Sequence, residues 1–102
     1  MSVVIVGGHD RMVGQYREIC RKYNCKAKIF TKMSGKLANQ IGSPDLIILF
    51  TNTVSHKMVL SAVGEAEKCN ADVVRSHTSS GNALIEILEK ACNLATPVKE
   101  VF

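Results

Sequence analysis

The feature that most restricts the fold of this chain is an alternation between short apolar runs and longer segments whose apolar residues recur at helical spacing. The runs cover residues 2–7, 25–31, 46–50 and 71–74 and are rich in Val and Ile. Such runs are typical of strands, and helices placed between strands are typical of parallel βαβ units. The pattern predicts a small α/β fold: a four-stranded parallel sheet with helices on both faces, half-Rossmann or flavodoxin-like.

Two details predict the order of these strands, numbered β1 to β4 along the chain. The second run alternates Lys26 and Lys28 with apolar residues, and charges within a strand favour an edge position. The third run, residues 46–50, is apolar throughout, as expected of a central strand. With right-handed crossovers the order becomes β2-β1-β3-β4, which puts a switch point between β1 and β3.

The helical segments complete the predicted domain. Asp10 is the predicted N-cap of the first helix, and the last helix is predicted from Ser80. A short helix is predicted from Ser34. We expect a single α/β domain over residues 1–95, followed by a tail over residues 96–102 that is either an extra C-terminal strand or frayed.

Composition narrows the class of protein. A chain of 102 residues with 46% hydrophobic and 22% charged residues is typical of one ordered domain. Its apolar runs are far shorter than the ~20 residues of a membrane helix, and no signal-peptide pattern is present, so we expect a cytoplasmic protein with no membrane partner. The net charge of +4 favours anionic ligands weakly. The scattered basic residues do not favour nucleic acid.

Glycines and polar residues that can bind an anion or a metal follow three of the predicted strands. The carboxyl ends of parallel strands share one edge of the sheet, and sites in open α/β sheets form outside that edge. We therefore expect one ligand site there. The candidate ligand-binding residues are Gly7, Gly8, His9, Thr53, Ser55, His56, Arg75, His77, Ser79 and Ser80.

Several of these residues have a second interpretation. Gly7 and Gly8 either let a ligand approach the backbone or only permit a tight turn, and they lack the spacing of the dinucleotide and P-loop signatures. Hydroxyl residues before helices are first of all N-caps, so at least one in each loop is expected to have that role. Arg75, with Lys57 as a weaker candidate, is predicted to neutralise an anionic group of the ligand.

The three histidines raise the question of a metal. His9, His56 and His77 follow different strands, and neutral imidazoles are common metal ligands. No His-x-x-x-His or Cys-x-x-Cys pair is present, so ordinary hydrogen bonding is the alternative. Ser55 or Ser79 beside a histidine would suit a nucleophilic enzyme, but no Gly-x-Ser-x-Gly motif occurs, and no catalytic residue is assigned. The cysteines are expected to be small buried hydrophobic residues without disulfides.

Three short motifs resemble a bacterial domain-of-unknown-function family, number 2325. They are Val6-Gly7-Gly8, Thr53-Val54-Ser55-His56, and Arg75 with Ser79-Ser80. The resemblance implies a small α/β domain, a dimer that exchanges elements, and haem or metal binding in some members, with His56 as the best ligand. Many relatives have a His-His-Asp-Gly-Gly run after the second strand, where this chain has Phe30-Thr31-Lys32-Met33-Ser34-Gly35. Ligation that depends on that run is not carried over to this chain.

The sequence thus predicts a non-enzymatic ligand-binding or sensing domain. Haem or a divalent metal is the leading ligand, and an anionic, phosphate-containing small molecule is the alternative. A small enzyme using Ser/His chemistry is the third interpretation. Because a small sheet leaves open edges at β2 and β4, we also expect a homodimer.

Overall fold

The computed structural model describes residues 2–31 and 41–95. Along the chain the elements are β1 (Ser2–Val6), a 3-10 turn (Asp10–Met12), α1 (Val13–Lys22), β2 (Lys26–Phe30), β3 (Leu46–Phe50), α2 (His56–Cys69), β4 (Asp72–Ser76) and α3 (Gly81–Ala95). This is the strand and helix alternation that the sequence predicts. Within the described residues, no helix has the length and apolar character needed to span a membrane.

The four strands form one parallel sheet in the order β2-β1-β3-β4, and this confirms the predicted order. The central strands are β1 and β3, and the pairing of Val3 with Leu46 joins them near their amino ends. The chain leaves this centre in opposite directions, towards β2 through α1 and towards β4 through α2. The switch point therefore lies between β1 and β3, where ligand sites of open α/β sheets form.

Alternation along the strands sorts the core into two layers. Val3 and Ile5 of β1 lie in one cluster with side chains of α1 and α3, and we call this side the α1/α3 face. Val4 and Val6 lie in the other cluster with side chains of α2, on the α2 face. Helices on opposite faces are expected when the chain turns in opposite directions with crossovers of one hand. All five residues of β3 are buried because both layers cover it.

Two local predictions are wrong. Asp10 does not cap the first helix, since neither the 3-10 turn nor α1 has a side-chain cap, and its carboxylate instead accepts a hydrogen bond from the Thr31 hydroxyl. The fourth strand does not end at Val74 but continues to Ser76. Pairing with β3 extends it, since Arg75 and Ser76 stay in register with Leu49 and Phe50. The start of the predicted helix at Ser34 is outside the described residues. The predicted tail strand is outside them as well.

Candidate functional site

Three loops lie at the carboxyl edge of the sheet, because the strands that precede them run parallel to one another. They follow β1, β3 and β4 and contain the sequence-predicted candidates apart from Arg75 and His56. Arg75 is an exposed residue inside β4, and alternation places its side chain on the α2 face together with Val73. His56 is the first residue of α2.

Side chains of other elements pack closely against the glycine pair after β1. Both residues have positive φ, 104° at Gly7 and 88° at Gly8, a region that side chains rarely adopt. A Cβ at Gly7 would lie 2.6 Å from Cγ1 of Val54, and one at Gly8 would lie 2.7 Å from the ring of Tyr16. The loop after β3 and the first helix therefore leave room for glycine only.

The backbone N–H groups of the pair are used within the protein. Gly7 donates to the carbonyl of Phe30 at 2.8 Å, and Gly8 donates to Oγ1 of Thr53 at 2.7 Å. Thr53 in turn donates to the carbonyl of Phe50 at 3.0 Å. The glycines thus serve the tight turn and join two loops, and neither N–H is left to bind a ligand.

Tyr16 contacts both the loop after β1 and the loop after β4, and the sequence did not predict this link. Its hydroxyl donates to the carbonyl of Ser79 at 2.5 Å, and its ring lies 5.4 Å from that of Phe50. Burial raises the pKa of Tyr16, although hydrogen bonds with Ser79 and the backbone of His9 act to lower it. The signal was present in the sequence, since a tyrosine in an apolar helical stripe needs a partner for its hydroxyl.

A second link joins the loops after β3 and β4. The Thr51 hydroxyl donates to the carbonyl of Ser76 at 3.1 Å and lies 3.2 Å from Nδ1 of His77. The structure therefore brings together Gly8 with Thr53, Thr51 with His77, and Tyr16 with Ser79. Thr51 was not among the sequence-predicted candidates.

Two serines cap the helices at this edge, as predicted. Oγ of Ser55 accepts from the N–H of Met58 at 3.3 Å, and Oγ of Ser80 accepts from the N–H of Ala83 at 3.2 Å. At the start of α2 this leaves the N–H groups of His56 and Lys57 with no acceptor among the described residues. A helix start leaves such donors unless a cap, water or ligand satisfies them.

The first turn of α2, like those of α1 and α3, contains no acidic residue, but it carries a basic one. The helix dipole places partial positive charge there, which favours acidic side chains in the first turn. The first turn of α2 has no acidic residue and instead presents exposed His56 and Lys57. The positive side chain of Lys57, the helix dipole and two N–H groups without an acceptor among the described residues therefore coincide at this point.

The histidines are exposed and separate in their contacts. His9, His56 and His77 follow or lie near three different strand ends. In the described part of the chain, no three His, Cys, Asp or Glu side chains lie close enough together to hold a metal ion. Of the three imidazoles, only that of His77 has a hydrogen-bond partner among these residues, the hydroxyl of Thr51.

Cys20, Cys25 and Cys69 form no disulfide within the described residues. Cys20 and Cys25 are buried in the same cluster, where the N–H of Cys25 donates to the carbonyl of Cys20 at 2.9 Å. Burial, with a smaller contribution from Cys25, raises the pKa of Cys20 to about 11. A thiol with so high a pKa is a poor nucleophile near neutral pH, so Cys20 behaves as a core residue.

The four-stranded parallel sheet with its helices defines a small Rossmann-like α/β domain, and solved structures are similar to it. A de novo designed Rossmann-fold protein matches with a TM-score of 0.57 at 16% identity, over 86% of this chain and 93% of the other. A de novo designed Rossmann 2x2 fold protein, solved in solution by NMR, matches with a TM-score of 0.55 at 15% identity, over 88% of this chain and 86% of the other. At these identities the likeness shows the fold alone.

The chain belongs to the bacterial family described as "Uncharacterized protein conserved in bacteria (DUF2325)", which it matches over residues 2–91. The match confirms the family resemblance of the three short motifs. No curated protein matches the chain.

Proposed function

We propose that this chain is a non-enzymatic ligand-binding or sensing domain, and that its site lies at the carboxyl edge of the sheet where α2 begins. The ligand is a small anion that contains phosphate. The observation that carries this proposal is the first turn of α2, where the N–H groups of His56 and Lys57 have no acceptor among the described residues and no side chain is acidic. Helix N-termini bind phosphate through such N–H groups and through the dipole.

The surrounding loops support the proposal by fixing the approach to α2. Thr53 is held by Gly8 and by the carbonyl of Phe50, two residues before the Ser55 cap. The start of the helix is therefore set by the switch point of the sheet, where β1 and β3 diverge. A preorganised backbone loses little conformational freedom when a ligand binds, which favours affinity.

Haem or a divalent metal, the leading ligand predicted from the sequence, is the second candidate proposed here. The observation that favours it is the exposed imidazole of His56 at the same helix start, because haem needs only one or two axial ligands from protein. A metal ion held by this chain alone would need three or more ligands, and the described residues gather no such group. Haem with His56 as axial ligand is therefore the stronger form of this candidate.

Thermal unfolding with added anions tests the phosphate proposal. We expect inorganic phosphate and ADP to raise the melting temperature in a concentration-dependent way, as any ligand of the folded state does. Lys57→Ala should weaken the apparent affinity about two- to fivefold, the range for an exposed charge. Lys68→Ala is the matched control, since Lys68 lies in the last turn of the same helix and pairs with Glu65 at 3.1 Å. No shift with either anion, or equal losses in both variants, would contradict the proposal.

An absorbance spectrum separates the two candidates. Protein titrated with haemin should develop a Soret band that His56→Ala weakens if His56 is an axial ligand. A spectrum that His56→Ala leaves unchanged, together with the phosphate-dependent shift, favours the anion.

A second copy of the chain is part of the proposal, because a small sheet with two outer strands offers edges for pairing. A cytoplasmic location also stays a prediction.

A further inference from the structure

The two outer strands of the sheet each direct backbone groups away from it. In β4, Asp72 donates to Asp45 and Ser76 accepts from Thr51, so alternate residues bond to β3. Val73 and Arg75, which lie between them, direct their N–H and C=O groups outwards. Among the described residues these groups have no hydrogen-bond partner, and a row of such groups can pair with another strand.

The outward groups define how β4 could pair with itself. An antiparallel pair forms hydrogen bonds between residues that exchange both N–H and C=O. In one such register, Val73 pairs with the partner's Arg75, and Arg75 pairs with the partner's Val73. These two pairs use all four outward N–H groups and all four outward C=O groups of the two strands. This register places Val74 opposite the partner's Val74 on a two-fold axis, on the α1/α3 face. Asp72 then faces the partner's Ser76, so no like charges are opposed.

The same reasoning applied to β2 gives the opposite result. Phe30 accepts from Gly7, so Ala27 and Ile29 direct their backbone groups outwards. Pairing these with a second copy would place Lys28 opposite the partner's Lys28, at the closest approach of the two strands. Like charges directly opposite each other destabilise a strand pair. Strand β2 is therefore protected against self-pairing, whereas β4 is not.

The surface beside β4 suits a two-fold contact. An open groove of about 800 Å³ runs along this strand, and its apolar lining residues include Val74, Ile87 and Ala91. Glu86 and Lys90 line the same groove from α3, are exposed, and make no ion pair within the described residues. A two-fold axis perpendicular to the sheet would run α3 antiparallel to its copy, which brings Glu86 towards the partner's Lys90.

The chain that continues after α3 is a poor occupant for this groove. Strand β4 was reached from β3 through α2, on the α2 face, whereas α3 packs on the α1/α3 face. A further parallel strand outside β4, reached through α3, would need a left-handed crossover. About 98% of such crossovers are right-handed.

We propose that the outer edge of β4, which has no partner strand among the described residues, is the docking surface for a second copy of this chain. The two β4 strands pair antiparallel with Val74 at the two-fold axis, and two four-stranded sheets join into one. This inference rests on the second-copy part of the proposed function and is independent of the ligand site.

Sedimentation velocity over a range of concentrations, in buffer without phosphate, tests the surface. We expect the unaltered chain to dimerise, and Val74→Lys to raise the dimer dissociation constant at least about tenfold by opposing two ammonium groups. Leu60→Lys is the matched control, because Leu60 is 59% exposed on α2 and lies away from the groove. Lys57→Ala should leave dimerisation unchanged, so loss of ligand binding and loss of the dimer are separate outcomes.

A cross-linking variant covers the case in which Val74→Lys does not fold. Residues opposed at a two-fold axis without hydrogen bonds lie about 4.5 Å apart at Cα, within the range of a disulfide. Val74→Cys should form a disulfide-linked dimer on air oxidation much faster than Leu60→Cys. A monomer at about 1 mM, an equally tight dimer of folded Val74→Lys, or equal cross-linking of the two cysteine variants would overturn the proposal.

Discussion

The loop after β1 and the start of α2 lie at the same edge of the sheet but differ in what they offer a ligand. In the first, both glycine N–H groups have partners within the protein, and side chains fill the space around them. In the second, two N–H groups have no acceptor within the part of the chain that the structure describes, and the side chains of His56 and Lys57 are polar and exposed. The first region holds the fold together at the switch point, and the second is available for binding.

A glycine pair after a strand is therefore weak evidence for a phosphate site. Glycine is required wherever another part of the protein packs against the backbone, and here that part is Tyr16 and the loop that carries Thr53 and Val54. The first turns of α1 and α3 also lack acidic residues, so the feature specific to α2 is its basic Lys57, which adds positive charge to the positive end of the helix dipole.

The largest effect is expected at Gly8. Gly8→Ala would place a Cβ 2.7 Å from the buried ring of Tyr16 at a φ of 88°. Strain and displacement of the ring should together lower the free energy of unfolding by about 2 to 4 kcal/mol. Chemical denaturation monitored by circular dichroism measures this value.

Gly64→Ala is the control for Gly8. Gly64 lies within α2, and a Cβ there meets no atom within 4 Å. Alanine is the better helix former, so this variant should gain about 0.5 to 1 kcal/mol. If Gly8→Ala were as stable as the unaltered chain, the loop after β1 would not be closed by packing, and the comparison would fail.

A smaller loss is expected when the hydroxyl of Tyr16 is removed. Tyr16→Phe keeps the ring contact with Phe50 but leaves the carbonyl of Ser79 without its donor. An unsatisfied buried acceptor destabilises a protein by about 1 to 3 kcal/mol. Phosphate affinity should change little, because the Tyr16 hydroxyl bonds to the loop after β4 and not to the start of α2. Denaturation and phosphate titration of one sample measure both quantities.

Alkaline pH provides a second measurement on Tyr16. Burial raises its pKa in the folded protein above the ordinary value of 10.0. The folded state therefore holds this proton more tightly, and the resulting stability is complete below pH 10 and lost as pH rises through the folded pKa. Tyr16→Phe should lose less stability than the unaltered chain in this range.

The strand order could be predicted from sequence because the signals are local. Lys26 and Lys28 mark an edge within one strand, and residues 46–50 mark the centre within another. Serine caps are local as well, and those of Ser55 and Ser80 are confirmed. Each of these features involves neighbours a few residues apart along the chain.

The contacts of the site could not be predicted in the same way. Gly8 meets Thr53 across 45 positions, and Tyr16 meets Ser79 across 63. Asp10 is a further example. Local spacing predicts that its carboxylate caps the first helix, but the carboxylate accepts a hydrogen bond from the hydroxyl of Thr31, 21 positions away. The role of the glycines, as turn or as ligand cradle, depends on such long-range partners.

The smallest effect is expected at the cap of α2 and would show which helix start meets an anion. Ser55→Ala removes the acceptor of the Met58 N–H and should lower the free energy of unfolding by about 1 kcal/mol in phosphate-free buffer. A bound phosphate can satisfy the freed N–H, so part of this loss should be regained when phosphate is added. Ser80→Ala removes the equivalent cap of α3 and should lose a similar amount without regaining it. Equal recovery in both variants would mean that phosphate does not distinguish the two helix starts, and the binding role of α2 would then lose its structural basis.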